Sequence, residues 1–200
     1  MLVWKRLKRL LLTQLTIKAL GVNKMSHKIP GLRGIDHIGL TVPNLDQAVD
    51  FFVNIVGCTP FYDLGPFESG EWLASALDIS DTTTMKKLKF LRCANGSNLE
   101  LFEYEADPQN KTLPKNSDIG GHHLAFYVDD FNLALNYLKN NNVEILGEPT
   151  VRTAGPSAGQ TWIYFKAPWG LQLELVSYPN GKGYEADSIN KLWHPAYPAE

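Results

Sequence analysis

Histidine and glutamate occur in the order His37, Glu100, His123, Glu174, each in or beside a short apolar run. Each histidine stands near the start of a strand-like segment, and each glutamate lies between two leucines in a later one. Imidazole nitrogens and carboxylate oxygens bind Zn, Ni, Co, Mn or Fe, and a mixed set leaves positions open for water or substrate. The repeated order predicts a metal site built from two copies of one unit.

In a strand, successive side chains point to opposite faces, so Glu100 is predicted to point away from Leu99 and Leu101. Glu174 also lies between two leucines. If the leucines pack beneath helices, both carboxylates lie on the concave side of a sheet. Burying an unpaired carboxylate is costly, and a divalent cation is one common compensation.

The segments around these four residues predict the same order of elements twice: strand, helix, then three strands. In the first copy, residues 35–42 alternate between apolar and polar, and apolar residues recur every three or four positions over 45–56. Asn44 or Asp46 is predicted to cap that helix, and Gly57 to end it in the left-handed conformation. The remaining predicted elements are strands at 59–64, 86–93 and 98–104 and a short helix at 71–77.

The second copy is predicted to begin with a strand at 122–128. A helix follows at 130–140, and the leucines expected on its inward face are Leu133, Leu135 and Leu138. Further strands are predicted at 143–147, 161–166 and 171–177. Residues 107–118, between the copies, are polar and contain two prolines, which is typical of a linker.

We therefore predict an α+β protein in which one domain, residues 33–179, consists of two βαβββ modules at 33–106 and 119–179. A basic extension, residues 1–32, precedes it and is interpreted as disordered or as sequence upstream of the true start. A tail, residues 180–200, follows the domain.

The segment 151–160 is rich in small residues and is predicted to be a mobile lid beside the metal or a plain hairpin connection. Arg152 is its sole charge, so it is a candidate for binding a substrate carboxylate or phosphate, or for pairing with a surface acid. Trp162 is a candidate for lining the substrate pocket, although burial in a core is the more common role of tryptophan.

Charge is unevenly distributed along the chain. Residues 1–35 contain eight Lys or Arg and no acid, whereas residues 36–200 contain 11 bases and 21 acids. An acidic body repels phosphate backbones, so nucleic acid is not expected as a partner. The two cysteines, Cys58 and Cys93, have no ligand-like spacing and favour a reducing compartment, so we expect a cytoplasmic protein without a membrane span.

The chain resembles the vicinal oxygen chelate superfamily, which includes glyoxalase I, methylmalonyl-CoA epimerase, extradiol dioxygenases and the bleomycin and fosfomycin resistance proteins. The resemblance covers residues 34–177. The motifs that carry it are, in order, Asp36-His37-Ile38-Gly39-Leu40, Leu99-Glu100-Leu101, Gly121-His122-His123-Leu124-Ala125-Phe126 and Pro168-Trp169-Gly170-Leu171-Gln172-Leu173-Glu174-Leu175.

The resemblance implies a curved, partly open β-sheet cleft that holds one divalent metal (Ni, Zn, Co, Mn or Fe). Its ligands would be His37, Glu100, His123 and Glu174, with His123 preferred to His122 because it directly precedes the Leu-Ala-Phe run. Family members often form homodimers, and we expect one here.

The presence of glutamate at position 100 is typical of glyoxalase I. The implied activity is therefore a glyoxalase-I-like lyase or isomerase reaction on a small α-oxygenated substrate, with proton transfer by Glu100 or Glu174 through a metal-stabilised enediolate. Three alternatives stay open: an epimerase like the methylmalonyl-CoA enzyme, an extradiol-type Fe(II) dioxygenase, and a bleomycin-resistance-type binding protein without catalytic activity.

Overall fold

The computed structural model describes residues 29–198. The chain divides into two units, Met1–Ile35 and Asp36–Glu200. In the first unit the described residues include a turn at 30–31, and residues 1–28 of the predicted extension lie outside the described part. The second unit contains all the helices and strands described below.

The first module follows the predicted order. Helix α1 begins at an N-cap, Asn44, whose side chain accepts a hydrogen bond from the Gln47 N–H, and it continues into a wider π-helical segment. Gly57 ends that segment with a φ of 87°, a left-handed conformation that glycine adopts without steric cost. The elements are β1 His37–Thr41, α1 Leu45–Asp50 with the π-helical Phe51–Val56, β2 Thr59–Leu64, α2 Glu71–Leu77, β3 Thr84–Cys93 and β4 Ser97–Glu105.

The second module repeats the order of strands and of the first helix. Asp130 caps its helix by accepting a hydrogen bond from the Leu133 N–H. The elements are β5 Leu124–Tyr127, α3 Phe131–Asn140, β6 Glu144–Val151, β7 Thr161–Lys166, β8 Gln172–Ser177 and, in the tail, the 3-10 helix Gly183–Ala186.

Each module forms one four-stranded sheet, with the orders β1-β4-β3-β2 and β5-β8-β7-β6. In each sheet the first strand pairs in parallel with the last strand of its module, and the other pairings are antiparallel. The predicted α+β class and the duplicated βαβββ order are confirmed. Both modules therefore place their first strand beside the strand that carries the glutamate.

Alternation along the strands places the leucines on one face of each sheet and Glu100 or Glu174 on the other. Leu101 and Leu173 are 0% exposed and lie on the apolar faces. These faces, together with α1 and α3, contribute to one continuous hydrophobic core. Trp169 of the second module packs in that core against Phe51 and Phe52 of the first, with ring centroids 5.9 Å apart in both pairs.

The inward face of α3 differs from the prediction at one position. Leu135 and Leu138 are buried as expected, but Leu133 is 69% exposed and Phe131 takes its place in the core. Buried positions four and three residues apart define one helical stripe, and a residue two positions before Leu135 lies on the other side of the helix.

The segment 151–160 is a hairpin connection between β6 and β7. The Arg152 N–H donates to the Gln160 carbonyl at 2.8 Å, and the Gly159 N–H donates to the Arg152 carbonyl at 2.8 Å. The tail packs on this loop through hydrogen bonds from Gly183 N–H to the Ala158 carbonyl and from Tyr184 N–H to the Pro156 carbonyl. Within residues 29–198, no helix has the length and apolar character needed to cross a membrane.

Candidate metal centre

Each candidate half-site is one His–Glu pair from the four predicted ligands. The first, His37 with Glu100, lies at the start of β1. His37 Nε2 is 3.2 Å from Glu100 Oε2, and His37 Nδ1 is 2.9 Å from Asp36 Oδ2. The register explains the contact: Gly39 pairs with Glu100, so His37, two residues earlier, points to the same face. The hydrogen bond to Asp36 raises the pKa of His37; burial opposes this shift, and the Glu100 charge adds to it.

The second half-site repeats this arrangement at β5 and β8. His123 Nε2 is 3.0 Å from Glu174 Oε2, and Ala125 pairs with Glu174 where Gly39 pairs with Glu100. His122 is directed elsewhere, with Nδ1 3.0 Å from the Gly120 carbonyl oxygen. The structure thus places His123, the preferred candidate, beside the carboxylate.

The carboxylate of Glu174 is buried. The residue is only 9% exposed. Burial raises its pKa, while the charge and hydrogen bond of His123 and the charge of Lys182 act in the opposite direction. A buried carboxylate with raised pKa is a stronger base than an exposed one, and a cation is the usual means of stabilising its charged form.

An aromatic ring lies beside each histidine. Phe90 contacts His37 edge to face at 5.7 Å between ring centroids, and Tyr164 contacts His123 in the same manner at 5.1 Å. The rings occupy equivalent positions because Phe90 pairs with Glu100 and Tyr164 pairs with Glu174 across neighbouring strands. Each half-site is therefore polar at its centre and apolar on one side.

Other elements cover the sheet beyond each carboxylate. In the first module, Leu73 of α2 packs with Leu88, Phe102 and Tyr104. In the second module the tail packs on the sheet. The ring centroid of His194 lies 4.5 Å from that of Tyr127 and 4.8 Å from that of Tyr178. Helix α2 and the tail thus each pack on the sheet of one module.

Lys182 is a residue near the second half-site that the sequence motifs did not indicate. Its ammonium group lies 4.0 Å from the centroid of the Tyr178 ring. Burial lowers the pKa of Lys182, and the charges of Glu174 and Glu185 oppose that shift. It also lines a cavity of about 530 Å³ within the tail. Lys182 follows the duplicated segment, so internal symmetry gave no signal for it.

The two candidate substrate residues have different positions. Trp162 pairs with Val176, two residues from Glu174, and its ring contacts Tyr164 at 5.1 Å between centroids, so it lies on the half-site face. Arg152 is exposed in the hairpin loop. The structure therefore groups Trp162 with the second half-site and leaves Arg152 at the surface.

The four predicted ligands form two pairs. Among residues 29–198, no three His, Cys, Asp or Glu side chains gather closely enough to hold a metal ion. The packing gives the reason, since the leucine faces of both sheets point into one shared core and the histidines and glutamates lie on the opposite faces. The structure thus brings His37 to Glu100 and His123 to Glu174, and it does not bring the two pairs together.

The sequence matches the model of the Glyoxalase/Bleomycin resistance protein/Dioxygenase superfamily over residues 36–160. The chain belongs to this superfamily. The predicted family is therefore confirmed, and the superfamily match covers the two histidines and Glu100, while Glu174 lies beyond it.

Two relatives show sequence similarity over most of the chain. The chain is 44% identical over 168 residues to the 2-epi-5-epi-valiolone epimerase of Actinomyces sp, covering 84% of this chain and 91% of that protein. It is 26% identical over 147 residues to the mitochondrial methylmalonyl-CoA epimerase of Dictyostelium discoideum, covering 72% and 78%.

Solved structures of superfamily members share the fold. A glyoxalase family protein from Bacillus cereus superposes with a TM-score of 0.58 at 19% identity, covering 75% of this chain and 98% of that one. The trypanothione-dependent glyoxalase I of Leishmania major superposes with a TM-score of 0.51 at 18% identity, covering 74% and 88%.

Proposed function

We propose that the protein is a metal-dependent epimerase that acts on 2-epi-5-epi-valiolone or a closely related ketone. The observation that carries the proposal is the 44% identity, over 84% of the chain, to an epimerase with that substrate in its name. A carbonyl group acidifies the neighbouring C–H bond, so removal and return of a proton there inverts the carbon without any other reagent. Epimerisation is one of the three alternatives to the predicted glyoxalase-I-like reaction.

The residues fit a divalent metal. His37, Glu100, His123 and Glu174 supply two nitrogen and two oxygen donors, a set suited to Zn, Ni, Co, Mn or Fe. Glu174 is buried beside His123, so two of these donors are already held together on the second sheet. When bound, the metal would polarise a carbonyl oxygen and stabilise developing negative charge.

A second copy of the chain would complete the ligand set. The His–Glu pairs of one chain lie on outward faces, with the shared core between the two sheets. We infer a homodimer in which His37 and Glu100 of one chain meet His123 and Glu174 of the other, giving two equivalent sites related by twofold symmetry. An exposed aromatic residue near the first pair supports a covered surface there: Tyr62 is 52% exposed, and its ring centroid lies 4.7 Å from that of Phe90.

We assign proton transfer to the two glutamates. Inversion requires a group that takes the proton from one face of the carbon and a group that supplies one to the other. Glu174 is the candidate to accept it, since its buried carboxylate lies beside His123 on the face that also carries Tyr164 and Trp162. Glu100 is the second carboxylate of the set, while Phe90, Tyr164 and Trp162 would exclude water and hold the substrate ring or chain against the sheet.

The other predicted activities rank lower. Solved structures of glyoxalase members below 25% identity share the fold and supply no argument about the reaction. Glyoxalase-I-like chemistry would use the same proton transfer, so it stays the second candidate. The predicted cytoplasmic location is retained as part of the proposal.

The test is epimerisation in deuterated water. Protein loaded separately with Zn, Mn, Co, Ni or Fe(II) is incubated with 2-epi-5-epi-valiolone, and the product is analysed by NMR and mass spectrometry. The proposal predicts an epimer carrying deuterium at the inverted carbon, and loss of that signal in Glu174→Gln but not in the exposed Glu148→Gln control. Absence of both inversion and exchange with every metal would refute it, and oxygen consumption would indicate a dioxygenase.

A further inference from the structure

Two cysteines that lie far apart in the sequence meet across a pair of strands. Thr59 pairs with Arg92 in the antiparallel β2–β3 ladder, and Pro60 pairs with Leu91. Extending that register by one residue places Cys58 directly opposite Cys93, the last residue of β3. Directly opposed residues in antiparallel strands have Cα atoms about 4.5–5.5 Å apart, and disulfides span Cα separations of about 4.4–6.8 Å.

Both thiols point to the same side of the sheet. Cys58 is buried in the hydrophobic core, and Cys93 packs against that core while keeping part of its surface exposed. Both are free thiols in the structure. The neighbouring Cys93 thiol raises the pKa of Cys58, with burial adding to the effect, and the Cys58 thiol lowers the pKa of Cys93 against the effect of burial. Cys93 is the more accessible of the two thiols.

We propose that Cys58 and Cys93 form a redox modification site, in which a low-molecular-weight disulfide such as oxidised glutathione converts them to a disulfide between β2 and β3. The inference does not depend on the proposed epimerase activity. It rests on the strand register, the shared face and the difference in exposure between the two sulfur atoms.

The reaction proceeds in two exchange steps. The Cys93 thiolate attacks one sulfur of oxidised glutathione, the glutathione S–S bond breaks, and one glutathione thiolate leaves. Cys58 then loses its proton and attacks the Cys93 sulfur, displacing the second glutathione thiolate. The two protein thiols are oxidised, one glutathione disulfide is reduced to two glutathione molecules, and these take up the two protons.

The modification can be separated from metal binding. Cys58 and Cys93 lie on the core face of the first sheet, whereas His37 and Glu100 lie on the opposite face. Thiol oxidation can therefore be followed on protein whose metal content is known, and a failure of one proposal leaves the other intact.

The experiment uses the full chain, reduced, desalted and incubated with oxidised glutathione, then alkylated and analysed by intact mass and peptide mapping. Wild-type protein is expected to lose both alkylatable thiols and the mass of two hydrogen atoms, with a peptide linking Cys58 to Cys93. Cys58→Ala is expected to stop as a glutathione adduct on Cys93. Cys93→Ala, which keeps only the buried thiol, is expected to react at least about 10-fold more slowly than wild type.

The thiol and mass analysis of wild-type protein tests the proposal even if a variant folds poorly. Retention of both free thiols, a lasting glutathione adduct on wild type, or a disulfide between two chains on a non-reducing gel would each overturn it. Circular dichroism of the two alanine variants checks that their different reactivity comes from the missing sulfur atom and not from unfolding.

Discussion

Glu100 and Glu174 occupy equivalent positions in the two sheets. Each lies on the last strand of its module, pairs in register with a small residue on the first strand, Gly39 or Ala125, and has its carboxylate within 3.2 Å or 3.0 Å of a histidine. The duplication visible in the sequence is therefore preserved at the level of individual contacts.

The two adjacent histidines give a matched pair of variants. His123→Asn removes a proposed metal ligand and is expected to weaken metal affinity by more than about 100-fold, since losing an outer-shell partner already costs about 10–100-fold. His122→Asn removes a side chain that contacts the Gly120 carbonyl and should change affinity little. Isothermal titration with Zn or Co measures both, and equal losses in the two variants would contradict the assignment.

Helix α3 provides a test of the core. Leu135→Ala is expected to lower the free energy of unfolding by about 2–5 kcal/mol, because it leaves a cavity in the shared core. Leu133→Ala, on the exposed side of the same helix, should change it by less than about 0.5 kcal/mol. Urea denaturation followed by tryptophan fluorescence measures both; a large loss at position 133 would show that this leucine is covered in solution.

Glu103 is predicted to make stability depend on pH. It accepts hydrogen bonds from Lys86 Nζ at 2.6 Å and from the Leu45 N–H at the start of α1 at 2.8 Å. Burial opposes ionisation, but these hydrogen bonds and the lysine charges bring the pKa of Glu103 below its usual 4.5. Because the folded pKa is lowered, the stabilisation is complete above pH 4.5 and is lost as the pH falls through the folded value.

Glu103→Gln should therefore be less stable than wild type at neutral pH and should lose less stability on acidification below pH 4.5. Glu148→Gln, an exposed carboxylate in β6, serves as the control and should follow wild type. Thermal unfolding at a series of pH values gives the comparison. Parallel curves for wild type and Glu103→Gln would show that this carboxylate does not carry the effect.

Periodicity predicted most of the fold because burial of one face is a local property of the sequence. The bounds of β2, α2 and β7 agree with the prediction, and the leucines beside the two glutamates are buried as the alternation required. The prediction that Leu133 is buried is wrong. Helix α3 contains several leucines, and Phe131 occupies the buried stripe in place of Leu133. Which apolar residues share a stripe is decided by packing against the sheet.

Relationships between distant segments were not predictable from these patterns. Alternation places a carboxylate on one face of a sheet, but the packing of the two modules decides whether the two half-sites of one chain face each other. The meeting of Cys58 with Cys93 depends on the β2–β3 register, and the position of Lys182 depends on the path of the tail. None of these contacts between distant segments follows from a periodic pattern in the sequence.

Mixing two variants that each lack one proposed ligand tests whether a metal site takes one half from each of two chains. His37→Asn and His123→Asn proteins are unfolded together, refolded and compared with each variant refolded alone. With random pairing, about half of the dimers are mixed and one site in each retains all four ligands, so the mixture should recover about one quarter of the wild-type metal content. If the mixture binds no more metal than the separate variants while mixed dimers are shown by mass spectrometry, the half-sites do not combine across chains and the account is wrong.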